Sequence, residues 1–90
     1  MRYTATLSKT CLGRWELYIA GPGRVDDWPV ADFDRAAPVP TIAERAAALA
    51  ALGYELPPGG AWRWDEDQMT ATEQVELSAR VDVRPIGGAS

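Results

Sequence analysis

Ninety residues, 47% hydrophobic and 24% charged, describe one folded domain and leave no room for two. A net charge of −4 favours solubility and, averaged over the surface, repels nucleic acid. With no histidine and a single cysteine, Cys11, the chain lacks a Ser-His-Asp or Cys-His nucleophile, an internal disulfide and a ligand set for structural zinc.

In residues 2–9, Tyr3, Ala5 and Leu7 alternate with Arg2, Thr4, Thr6 and Ser8, which predicts a strand. Residues 14–20 predict its hairpin partner, with Trp15, Leu17 and Ile19 on the apolar side, Glu16 and Tyr18 on the other, and Gly13 in the turn. An alternating N-terminus is unlike a signal peptide, and no apolar run reaches the roughly 18–20 residues that span a bilayer. Together with the lone cysteine, this points to a cytoplasmic protein with no membrane partner.

Residues 21–40, broken by Gly21, Pro22, Gly23, Pro29, Pro38 and Pro40, predict a long irregular connection. Its Trp28, Val30, Phe33 and Val39 are expected to fold over the core, with room for a short edge strand near Val30–Phe33. Residues 41–53 predict a helix, opened by a Thr41–Glu44 capping box and stopped by Gly53. Ile42, Ala46, Leu49 and Leu52 make the stripe expected to face the sheet.

After a Pro57-Pro58-Gly59-Gly60 turn, residues 61–65 predict a strand with Trp62 and Trp64 on one face and Arg63 and Asp65 on the other. Residues 66–73 predict a polar turn. Residues 74–84 alternate throughout, Val75, Leu77, Ala79, Val81 and Val83 against Glu76, Ser78, Arg80, Asp82 and Arg84. The expected fold is α+β in the order β-β-α-β-β: a four-stranded, mainly antiparallel sheet with one helix on its dry face. The domain covers residues 1–86, and residues 87–90 form a disordered tail.

Few residues remain for chemistry. Cys11 has no histidine to activate it. Asp26, Asp27, Asp32 and Asp34, and then Asp65, Glu66 and Asp67, have the oxygen donors a hard cation takes. Neither group has the spacing of a calcium loop, and loop acids ordinarily serve solvation. The glycines at 21, 23, 59 and 60 read as turns, not as a phosphate cradle. The expectation is therefore no catalytic residue, no metal and no cofactor.

Function then falls to surfaces. The outer helix face, Ala43, Glu44, Ala47, Ala48 and Ala51, carries little charge and would admit a second helix. The connection offers Trp28 and Phe33, where an exposed Trp28 would anchor a partner and a buried one would close the core. The wet face of the sheet offers Arg2, Tyr18, Arg63, Arg80 and Arg84, one way to hold single-stranded nucleic acid, although Glu16, Asp65, Glu76 and Asp82 nearly cancel the charge. The leading expectation is a small non-enzymatic regulatory protein that binds another protein, with a homodimer as its simplest form. A nucleic-acid-binding module is the alternative, and a carboxylate-dependent enzyme is a third, more distant reading.

The segments WPVADF, PVPTIAERAAALAALGYE and AWRWDED, with the opening Tyr-Thr-Ala and the Gly-Arg-Trp of the second strand, resemble a family of short actinomycete proteins of unknown function. The resemblance runs from Tyr3 to about Pro85. It implies a free-standing domain and brings no activity with it.

Overall fold

A computed structural model describes residues 2–10, 13–68 and 75–87. The two alternating segments at the start form an antiparallel ribbon. β1 (Tyr3–Lys9) pairs with β2 (Trp15–Ala20) from Thr4↔Ala20 to Lys9↔Trp15. The long C-terminal strand, β6 (Val75–Pro85), lies on the other side of β1, in register from Tyr3↔Val83 to Ser8↔Ser78. Their shared face buries Ala5, Leu7, Leu17, Ile19, Ala79, Val81 and Val83, which is the core that the period-2 pattern implies.

Among the described residues the sheet has six strands, where the sequence predicts four with room for a short edge strand near Val30–Phe33. β3 (Val30–Asp32) adds to the free side of β2, and β4 (Tyr54–Glu55) pairs with Glu55↔Arg84 and Tyr54↔Pro85 at the end of β6. Strands of three and two residues are too short to show alternation, and only a long neighbour's ladder makes them strands. Past β3 the backbone stays on β2: Phe33 N–H donates to the Trp15 carbonyl, and Trp15 N–H donates to the Arg35 carbonyl.

β5 (Arg63–Gln68) takes the same edge of β6 as β4 but further along, from Arg63↔Arg80 to Gln68↔Val75. The path is thus β3-β2-β1-β6-β4, with β5 also on β6. β5 runs three residues beyond the predicted 61–65, into the segment read as a turn. Acidic residues mask it because its outer edge stays in water. The remainder of that turn, Cys11 and residues 88–90 of the tail lie outside the described residues.

α1 (Ile42–Leu52) follows Thr41, whose Oγ1 accepts from Glu44 N–H at 3.1 Å while Glu44 Oε1 accepts from Thr41 N–H at 2.9 Å. It stops at Gly53, which adopts φ 92° as a left-handed cap. The face it buries corrects the predicted stripe. Arg45 and Leu49 are buried and Ala48 and Leu52 pack on the core, whereas Ile42 is 68% exposed and Ala46 is exposed. Residues 45, 48, 49 and 52 form a complete i, i+3, i+4, i+7 row. A hydropathy reading rejects that row because of the arginine; the fold accepts it because two tryptophans receive the guanidinium.

Candidate functional site

Arg45 lies in the first half of α1, pointing at the sheet. It is 7% exposed, and its Nε donates to the Pro40 carbonyl at 2.9 Å. Its Cζ stands 5.3 Å from the Trp62 ring and 5.4 Å from the Trp64 ring. Alternation along the start of β5 puts both rings on the helix side. Opposite Trp64 in β6 is Ala79, whose small side chain leaves space for the indole.

The array continues beyond this trio. Trp64 meets Trp15 edge to face at 6.3 Å and 86°. Trp15 Nε1 donates to the Ala36 carbonyl at 3.0 Å, which fixes that ring. Lys9 Nζ then sits 5.6 Å from the Trp15 centroid. Cations and rings follow one another as Lys9, Trp15, Trp64, Arg45, Trp62, with each cation in the range for attraction to a ring face.

Electrostatically this strip differs from the rest of the molecule. Five other arginines have acids: Arg2–Asp82 at 3.9 Å, Arg14–Asp32 at 3.2 Å, Arg35–Glu44 at 2.6 Å, Arg80–Asp65 at 3.7 Å and Arg84–Glu55 at 2.8 Å. Neither Arg45 nor Lys9 has a carboxylate within ion-pair distance among the described residues. Burial lowers the pKa of Arg45, because the charged form gives up hydration without gaining an opposite charge. Its Nη1 and Nη2 find no acceptor among the described residues, and neither is sealed from solvent.

The residues expected from sequence are distributed differently. Ala43, Ala47 and Ala51 are exposed on α1, but Ala48 packs on the core and Glu44 is engaged by Arg35. The helix surface in solvent is Ile42, Ala43, Ala46, Ala47, Ala50 and Ala51. Trp28 and Phe33 do not form one contact. Phe33 packs against the core, while Trp28 stacks on Tyr18 at 6.0 Å and 6° and donates from Nε1 to the Gly21 carbonyl. Tyr18 therefore lies against an indole instead of standing open on the wet face. Of the four arginines expected there, Arg2, Arg80 and Arg84 are ion-paired, and Arg63 sits across from Arg80 without an ion pair among the described residues.

Sequence reasoning missed Arg45. Its signal was an arginine within a helix that, apart from the capping Glu44, is built of alanine, leucine and isoleucine, paired with a Trp-x-Trp segment that had two rings to offer one face. Among the described residues, no three acidic, cysteine or histidine side chains converge on a point that could hold a metal, and no helix is long and apolar enough to cross a membrane.

Comparison with known proteins identifies one relationship. A model described as a family of unknown function (DUF6303) matches residues 1–90, and the chain belongs to that family. No curated protein and no solved structure matches it.

Proposed function

Starting from a family without an assigned activity, we propose that this chain is a non-enzymatic, regulatory protein that works by binding another protein, and that its simplest partner is a second copy of itself. One observation carries the reading. The solvent side of α1 presents Ile42, Ala43, Ala46, Ala47, Ala50 and Ala51 and no unpaired charge, because Glu44, at its half-exposed margin, is neutralised by Arg35 and Arg45 is buried against the tryptophans.

An uncharged helix face gains little from water. Small side chains let two helix axes approach to about 8 Å. An antiparallel pair opposes the two helix dipoles favourably and sets each Ile42 near Ala50 and Ala51 of the second copy. A cytoplasmic place of action goes with this reading. The wet face supports a nucleic-acid role less well, since acids neutralise three of its four arginines.

Light scattering at about 100 µM tests the proposal, because self-association follows mass action. The expected mass is twice 9.8 kDa. Ala47→Glu should return the monomer with an unchanged circular dichroism spectrum. A wild-type chain that stays monomeric at this concentration removes the homodimer.

A further inference from the structure

The cation–ring array has no part in that self-association, and it carries its own inference. A guanidinium has five N–H donors in one plane. Arg45 uses one of them on Pro40, and the two terminal nitrogens reach solvent without a protein acceptor among the described residues. Holding a charge in such a place is unfavourable unless something pairs with it. Acids are not scarce in this chain, with 13 against 9 basic residues, yet its most buried described arginine receives none among the described residues. Two indoles lie within 5.4 Å of its Cζ, so the guanidinium is held against aromatic rings and not against an acid among the described residues.

Two exposed apolar side chains lie on the same face of the sheet as the array. Trp64 is 44% exposed and Leu77 is 42% exposed. Continuing the β1–β6 register by one residue puts Leu77 beside Lys9, the second cation without an acid among the described residues. Glu66 is the cross-strand neighbour of Leu77 and makes no ion pair with either cation. A nearby acid of this kind opposes a polyanion more than it opposes a single charge.

We propose that the Arg45 guanidinium, framed by Trp62 and Trp64, receives a carboxylate carried by a peptide, with Trp64 and Leu77 taking an apolar side chain next to it. The match is one of charge and geometry: a planar fork with two terminal nitrogens and no acceptor among the described residues suits a planar, two-oxygen acceptor. An apolar platform beside it favours a peptide over a free small acid.

Titration of the isotope-labelled chain, followed by NMR at the Arg45 Nε–H and the Trp62 and Trp64 indole N–H signals, tests this. Three capped, leucine-rich four-residue peptides are compared: one with a side-chain carboxylate only, one with a terminal carboxylate only, one with neither. Acetate and inorganic phosphate are run beside them. At least one acidic peptide should shift all three signals saturably, and which one does so identifies the source of the carboxylate. The neutral peptide, acetate and phosphate should bind at least about tenfold more weakly. Arg45→Lys, which keeps the charge and loses the fork, should weaken the acidic peptide by about tenfold. Arg45→Met should abolish binding while preserving the fold. Equal binding of acidic and neutral peptides, equal binding of phosphate or acetate, or no shift by any peptide at about 5 mM overturns the proposal. The peptide comparison on the wild-type chain stands even if Arg45→Met fails to fold, and repeating it on Ala47→Glu separates the result from self-association.

Discussion

Glu44 accepts from both terminal nitrogens of Arg35, at 2.6 and 2.7 Å, and its Oε1 also accepts from the Thr41 backbone at 2.9 Å. One carboxylate thus closes the first turn of α1 and ties the preceding segment to it. Hydrogen bonding from Arg35, then from the Thr41 N–H, lowers its pKa from 4.5 to about 2. Both side chains keep contact with water, so salt screens the pair.

A carboxylate whose pKa is lower in the folded chain binds its proton more readily in the unfolded one. Its contribution to stability is complete above the unfolded value near 4.5 and is lost as pH falls from there toward about 2. Urea midpoints of the wild type and Glu44→Gln should therefore differ most at neutral pH and converge between about pH 4.5 and 2. A gap that stays constant over that range would show that Glu44 does not titrate as the geometry requires.

Leu49 is 1% exposed and anchors α1 to the sheet. Leu49→Ala should cost about 2–5 kcal/mol through lost burial and the cavity left behind. In a domain this small, such a loss takes up much of the stability, and thermal unfolding followed by circular dichroism should move down by many degrees.

Ile42 distinguishes the two ways of turning the helix. At 68% exposure, Ile42→Lys should change monomer stability by no more than about 0.5 kcal/mol in chemical denaturation of a dilute sample. A loss above about 2 kcal/mol would put Ile42 in the core, as its place in the hydropathy stripe suggests.

Gly21 supports the Tyr3 ring. A Cβ at position 21 would lie 2.7 Å from Tyr3 Cδ1, and that ring already packs at 5.2 Å against Tyr54. Gly21→Ala should destabilise by about 1–3 kcal/mol. Combined with Tyr3→Leu, the loss should be less than additive in a denaturation cycle, because the smaller side chain removes the clash.

The legible parts of this fold were those whose signal is local. Seven alternating residues specify β1, but its ladder to β6 was decided by the tertiary structure, because every strand of the sheet offers a dry face and none names its neighbour. Thr41, Glu44 and Gly53 mark the limits of α1 because caps act on backbone groups within one turn. β4 carries no such signal and becomes a strand only because β6 presents a free edge, while β3 realises the short edge strand for which the sequence left room near Val30–Phe33.

The Arg45 site shows the same division. From the sequence alone, the absent histidine and lone cysteine set aside histidine-based catalysis, and the alternation required a one-sided sheet covered by a helix. The rotation of that helix was not fixed by its own residues, since two neighbouring stripes, one with Ile42 and Ala46 and one with Arg45 and Ala48, share Leu49 and Leu52. Hydropathy favours the first. The tertiary structure took the second, because Trp62 and Trp64 arrive from a strand remote in the chain to face Arg45, and the attraction between a cation and a ring does not register in a scale that scores each residue alone.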